Sequence, residues 1–473
     1  MLDASLNRVK NRSNTRVPLI SIRDQTSRAI DYVLGGGLGP SLIRSVAGTS
    51  AVQVAGMFVT FLVGILLARG LGVEGYGQYG IAMAAIALAS IPGEFGVPQL
   101  VTREVAAASA RHDHRRIFGV LRWADRTAIL FALLAAALMA LIAYFFVGYD
   151  SPVALAIIIG APVIPLVALA KIRGAALQGL HLVALGQLPA VLLRPLLFSI
   201  LLLLLFTVWP AAGPTQAMAL NIATAAAALL LAHLLLRARL PSERPAQPLQ
   251  HGRQWLASSF PMALTEGMRI MQWQMTILLL GIVATDAEVG LYRVAVSILV
   301  AIAVPITLIN AVVAPVLARL HAEADRNRMR QVSHRAAQAS TLGVVGLSLP
   351  FILFGSPLLA VAFGEDFAPA YGALLILSLG QMLSAAFGPN ALLLNMSGHE
   401  KRVTRAMLFA LLVNAGLVFL LARSMGHIGA AWAGSAAMLV WNLLAWWDAR
   451  VLLGVDTSVL PSSLSRAKEK GDA

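Results

Sequence analysis

The chain has 473 residues, of which 58% are hydrophobic and only 12% charged, against about 25% charged in an ordinary soluble domain. Its mean hydropathy is +0.78 and its net charge is +14. That combination excludes a water-soluble globule, a disordered chain and a nucleic-acid-binding domain, because too little polar surface is present to solvate so many apolar residues.

Residues 1–41 are polar and basic, with Arg8, Lys10, Arg12, Arg16, Arg23 and Arg28. They lack the apolar core and small-residue cleavage site of a secretory signal. Within them, 16–34 reads equally as an amphipathic helix on the membrane face or as disorder, with Gly35, Gly36 and Gly37 as a joint in either case. A bilayer-spanning helix needs about 20 apolar residues. Such runs follow near 46–68, 78–99, 124–147, 152–171, 184–208, 215–236, 256–283, 289–316, 337–356, 369–394, 404–423 and 428–447. They are continuous rather than alternating, so they predict helices and not a β-barrel. The expected class is therefore an all-α polytopic membrane protein with about 12 transmembrane helices. The second run carries Pro92, Glu94, Gly96 and Pro98 and is expected to be broken. The stretch 352–364, with Gly355, Ser356 and Pro357, reads as an outer loop or an extended helix end.

Basic residues cluster on the cytoplasmic side of membrane proteins. With both termini cytoplasmic, 31 of the 36 Lys and Arg residues fall in or beside cytoplasmic segments. The outer loops keep Arg69 and Arg423, and the spans keep Arg194, Arg269 and Arg293. Basic inner faces also suit contact with anionic membrane lipids.

The polar loop 237–254 follows the sixth span. It divides a six-helix lobe at 42–236 from a second at 255–450, with a cytoplasmic tail at 451–473. A repeat supports the division. Gly77-Gln78-Tyr79-Gly80-Ile81-Ala82 opens the second span, and Gly290-Leu291-Tyr292-Arg293-Val294-Ala295 opens the eighth, 213 residues later. Six helices per half predicts two lobes related by an axis along the membrane normal, around a central cavity.

With no cysteine there is neither a disulfide nor a thiolate metal site. No phosphate-binding G-x-x-x-x-G-K-[ST] loop and no H-E-x-x-H zinc motif occurs. We expect no catalytic residue, no cofactor, no metal and no nucleic-acid partner. The outer loops are short, so little chain is left over for an enzyme, and a transporter is favoured.

Ionisable residues inside a span are costly and mark pathways by default. Arg194, Arg269 and Arg293, with few offsetting acids, predict a positive cavity suited to an anionic substrate. Glu94 and Glu266 are candidate coupling or gating acids, and Arg69 a structural or gating residue of the outer face. Each has a plainer reading. Glu266 and Arg269 are three residues apart and suit a bracing ion pair. Arg194 suits snorkelling, and Arg293 contact with headgroups. Trp273 reads as packing, and Asn310, Gln381, Asn390, Asn414 and Asn442 as interhelical glue.

Leu66-Leu67-Ala68-Arg69-Gly70-Leu71-Gly72, followed by Glu74-Gly75-Tyr76-Gly77, resembles the "ARxLGxxxYG" junction of bacterial polysaccharide-export flippases. Gly93-Glu94-Phe95-Gly96-Val97 with Thr102-Arg103-Glu104 is similar to their broken second helix. Met396-Ser397-Gly398-His399-Glu400-Lys401-Arg402 resembles their loop before helix eleven. Gly426-His427-Ile428-Gly429-Ala430-Ala431 resembles their "GxxGAA" start of the final helix. The likeness covers roughly 42–450. It is to the polysaccharide transporter (O-antigen flippase) family, a branch of the multidrug/oligosaccharidyl-lipid/polysaccharide exporter superfamily.

The resemblance implies alternating access in a bacterial inner membrane. It implies an undecaprenyl-diphosphate-linked glycan as substrate, carried to the outer leaflet for surface polysaccharide, and a polysaccharide polymerase complex as a possible partner. Two features depart from the peptidoglycan-precursor flippases of the superfamily. The first helix, Gly56 to Val63, lacks their charge pair, and no two additional helices are found. The alternatives are an ion-coupled multidrug or small-molecule exporter, whose cationic drugs suit a positive cavity badly, and a membrane scaffold or enzyme subunit of a polysaccharide machine.

Overall fold

A computed structural model describes residues 40–148, 150–240 and 252–459. The expectations for the N-terminal segment, for most of the loop 237–254 and for the tail from residue 460 lie outside the described residues. The described chain is helical nearly throughout, as apolar spans must be when lipid offers their backbone groups no partner.

Twelve helices result. Ala51–Glu94 turns at Gly72, φ 70°, into α1 and α2; α2 breaks at Phe95 and Gly96 and resumes over Val97–Ser109. Then come α3 (His114–Gly148), α4 (Pro152–Gly179), α5 (Val183–Val208) and α6 (Pro214–Arg237). The second lobe holds α7 (Gly252–Val283), α8 (Asp286–Ala322), α9 (Arg326–Phe363) and α10 (Glu365–Ala386, resuming over Asn390–Met396). Glu400–Leu453 turns at Gly426, φ 53°, into α11 and α12. Both turns need the left-handed backbone that glycine adopts without a Cβ penalty.

Nine of these helical stretches are long and apolar enough to cross a membrane among the described residues, two of them being the paired spans. The remaining crossing is α7. Glu266, Arg269, Gln272 and Gln274 dilute its apolar content.

The broken second helix is as expected. The stretch 352–364 remains helical to Phe363 with a kink at Phe354, so it is an extended helix end and not a loop. The tenth run differs from expectation. The apolar run is continuous over 369–394, but the helix stops at Phe387-Gly388-Pro389. Pro389 has no N–H to continue the ladder, and residues 455–459 pack into the gap. Thr457 Oγ1 donates to the Phe387 carbonyl at 2.8 Å and the Val459 amide donates to the Ala386 carbonyl at 2.9 Å. Val455 and Thr457 are fully buried. This part of the chain after α12 therefore belongs to the packed body.

In the first lobe α4 packs on α3, α6 and the resumed part of α2. In the second, α10 packs on α8, α9 and the α11–α12 pair. Among the described residues the lobes meet at both ends of the bundle. At the end of the molecule carrying the Gly72 and Gly426 turns, here called the junction end, α2 crosses α8. A Cβ on Gly77 would lie 1.8 Å from the Asp286 carbonyl oxygen, and one on Gly290 would lie 2.1 Å from that of Val73. Residues 77 and 290, and residues 73 and 286, are each 213 apart. The contact is thus its own mirror under the repeat, as an isologous interface is. Phe61 stacks edge-on to Phe363 (5.9 Å) and Tyr76 to Phe367 (6.1 Å) over the same seam.

At the opposite, arginine-rich end, α7 reaches the first lobe. Phe95 meets Phe260 at 6.2 Å and Trp123 meets Trp255 at 5.5 Å.

The crossing generates a test. Gln78 Nε2 donates to Asp286 Oδ2 at 3.1 Å across the seam, and the chain has no native cysteine. A Gln78→Cys/Asp286→Cys pair is expected to cross-link in membranes. Adding Gly77→Leu overpacks the seam, at a cost of about 1–3 kcal/mol, and is expected to suppress that cross-link. Unchanged cross-linking would show that the crossing is not close.

Candidate functional site

Between the lobes lies a cavity of about 680 Å³, walled by α1, α2, α5, α7 and α8. Among its described lining residues Arg293 is the one charged side chain. Arg293 projects from α8 just below the crossing, with its guanidinium carbon 4.8 Å from the Tyr76 ring centre and 5.2 Å from that of Tyr79. Those aromatic faces stabilise a cation while leaving its N–H groups free. Arg293 Nη1 is buried and has no hydrogen-bond partner. Room for it comes from Gly80, where a Cβ would stand 2.8 Å from Nη1. Residue 80 is the repeat equivalent of residue 293. Two arginines cannot occupy this close approach, so one half presents arginine and the other glycine.

Arg194 is placed behind this wall, in α5. It donates to Asn221 Oδ1 at 2.7 Å, and Asn221 Nδ2 donates to the Tyr79 hydroxyl at 2.8 Å. Arg194 and Arg293 therefore meet through Asn221 and Tyr79, while the cavity itself is lined only by the second. Tyr79 and Tyr292 are also 213 apart, and both are buried. Asn221 was missed by the sequence reading, since one asparagine within the apolar run of α6 carries no periodic signal.

Arg269 lies apart from both, on α7, paired with Glu266 at 2.5 and 3.0 Å. The two form the ion pair within one helix face that a spacing of three allows. Beside it, Glu94 is 4% exposed and accepts from Lys171 Nζ at 2.6 Å. Lys171 is the last residue of the fourth apolar run, 152–171. It reaches from α4 to the break in α2. The break is what turns Glu94 toward it. Arg69 joins the lobes at the junction end: its Nε donates to the Ala362 carbonyl at 2.8 Å, and a terminal nitrogen donates to that of Val361. No cluster of three or more His, Asp or Glu able to hold a metal ion occurs among the described residues.

A sequence profile of polysaccharide biosynthesis proteins matches residues 42–321, more than half of the chain. The chain belongs to this family. No individual protein of curated function matches it. Its fold is shared with solved structures of a multidrug transporter and a lipid flippase, among others. An inward-facing multidrug resistance MATE transporter of the MOP superfamily superposes with a TM-score of 0.72 at 14% identity, over 86% of this chain and 98% of the other. The lipid II flippase MurJ, in an inward closed conformation, superposes with 0.68 at 15% identity, over 85% and 87%. A MOP superfamily transporter from Pyrococcus furiosus, with a binding pocket of reversed polarity, gives 0.62 at 13%, over 90% and 98%. The two-lobed arrangement and the polysaccharide-family membership expected from the residues are thus both met.

The charge pairs of this family member are testable. Lys171→Gln leaves the Glu94 carboxylate buried without a cation. A stability loss of about 1–3 kcal/mol is expected, below the full cost for a buried pair because the Lys171 side chain is 37% exposed. Glu94→Gln/Lys171→Gln is expected to recover most of it in thermal unfolding of the reconstituted protein. A double variant no more stable than Lys171→Gln would show that the two side chains are not coupled.

Proposed function

We propose that the protein is a flippase that carries an undecaprenyl-diphosphate-linked oligosaccharide from the inner to the outer leaflet of the bacterial inner membrane by alternating access, with both termini cytoplasmic. The observation that carries the reading is Arg293. A guanidinium with a buried, unpartnered nitrogen, facing a cavity that holds no acid, is a ready receiver of phosphate oxygens. Apart from Thr60, Gln274 and Ser297 the rest of the lining is apolar, and Phe58 on α1 is 72% exposed beside it. A diphosphate at Arg293 is then compatible with an isoprenoid tail left in lipid at the cavity's edge. The polar head would cross inside the protein and avoid the unsatisfied hydrogen bonds of bare hydrocarbon.

Alternating access needs a seam that parts reversibly. The junction end is joined by glycine contacts, ring edges and the Arg69 hydrogen bonds, with no buried ion pair among these contacts to break. The break in α2 and the contact of α7 with both lobes supply joints at the opposite end. Glu94, Glu266 and Arg269 serve in this scheme as the charges that rearrange as α7 moves, and Arg194 as the support that holds Tyr79 against Arg293.

Export of cationic drugs is the second reading, favoured by the superposition on multidrug transporters. A cavity whose one described charge is positive opposes it. Deleting the gene is expected to leave a defined undecaprenyl-diphosphate glycan on the inner leaflet, detected by mass spectrometry of membrane lipids. The intact gene should clear it, and Arg293→Ala at equal abundance should not. If no such lipid accumulates and the strain instead becomes sensitive to cationic drugs, the exporter reading replaces this one.

A further inference from the structure

A second chamber, of about 300 Å³, lies wholly within the second lobe, between α7, α8, α10 and the α11–α12 pair. It touches the central cavity at Trp273, which lines both. Its size falls at the lower end of small-molecule sites. A smaller space of about 140 Å³ continues past Gln381 and Trp441 toward Asn310 and Asn390.

The chamber's chemistry differs from that of the central cavity. No charged side chain lines it among the described residues, so a diphosphate or another ion would be buried there without a counter-charge. Its asparagines are framework. Asn414 Oδ1 accepts from Thr276 at 2.9 Å, and Asn442 Nδ2 donates to Ser384 Oγ at 2.8 Å and to the Met438 carbonyl at 2.9 Å. Its glutamines are different. Neither Gln272 nor Gln381 makes a side-chain hydrogen bond within the described chain, although Gln381 is only 8% exposed. An amide that lines a cavity with both its donors and its acceptor unused is available to a ligand. Two indoles, Trp273 and Trp441, stand in the same wall, and Trp273 is 43% exposed.

Flat aromatic faces beside free amides, with charge absent, match one ligand class: a neutral ring with an apolar C–H face and hydroxyl edges. We propose that this chamber is a glycan subsite, which receives uncharged sugar residues while the diphosphate is held at Arg293. The inference rests on the flippase reading and adds to it which lobe takes the sugars and of what charge. Trp273 stands at the boundary, where the residue linked to the diphosphate would pass. On α7, Gln272 faces this chamber and Gln274 the central cavity.

The test uses the full chain in lipid nanodiscs and two probes, bare undecaprenyl diphosphate and the glycan-bearing carrier accumulated in a strain lacking the gene. Native mass spectrometry gives both affinities. The wild type is expected to prefer the glycan-bearing carrier by about tenfold, equivalent to about 1.4 kcal/mol. Gln381→Leu and Trp441→Leu should each abolish that preference and leave binding of the bare carrier unchanged, which also reports that the variant is folded. Gln272→Leu, on the facing helix, provides the same readout if either variant fails to bind the bare carrier. Arg293→Ala should weaken both probes. Equal affinity of the wild type for the two probes, or a preference that survives all the chamber variants, overturns the glycan subsite and leaves the flippase reading intact. A wild type that binds neither probe overturns the flippase reading itself.

Discussion

Two helices that cross at glycine hold this molecule together and define its working space. Because residues 77 and 290 carry no side chain, the backbones of α2 and α8 approach until each glycine rests on a carbonyl of the other helix, at Asp286 and Val73. In lipid, helices gain little from burying apolar groups against each other, so close backbone approach and van der Waals packing do much of the work. Everything below this crossing follows from it. Tyr76, Tyr79 and Arg293 extend one turn or less from the contact, and the central cavity begins where the two helices diverge.

The same crossing explains an asymmetry. The repeat that makes the lobes alike cannot be complete at the axis, because equivalent positions face each other there. At 80 and 293 the halves differ, glycine against arginine, and the difference creates the one charge in the central cavity wall. Other charges in the spans are held locally: Glu266 by Arg269, Glu94 by Lys171, and Arg194 by the neutral Asn221. A polar residue with no internal partner therefore stands out. Arg293 in the central cavity and Gln381 in the second lobe are such residues, and they divide the interior into a compartment for charge and one for neutral hydroxyls.

Much of the architecture was legible along the chain. Helix length against bilayer thickness marked the twelve crossings, and the Gly77 and Gly290 strings marked the halves. Pro92, Gly96 and Pro98 marked the break in α2, and the spacing of three marked the Glu266–Arg269 pair. Two of the strings quoted for the family resemblance fall on the turns at Gly72 and Gly426, where the backbone enters the left-handed region. Other features were hidden, because their partners are far apart in sequence. Lys171 lies 77 positions from Glu94, and Asn221 lies 142 from Tyr79. The break in α10 is completed by Thr457, 70 positions beyond it.

By itself, then, the sequence determined that this is a two-lobed helical membrane protein, because apolar length, basic-loop bias and an internal repeat are properties of order along one dimension. Only the tertiary structure decided which polar residues are spent on bracing and which are left free. An unpartnered side chain is defined by what surrounds it, and neighbours in a helical bundle come from distant segments. Three arginines looked equivalent within the spans. Packing tied Arg194 to Asn221 and Arg269 to Glu266, and left Arg293 Nη1 buried beside two tyrosine rings with no hydrogen-bond partner.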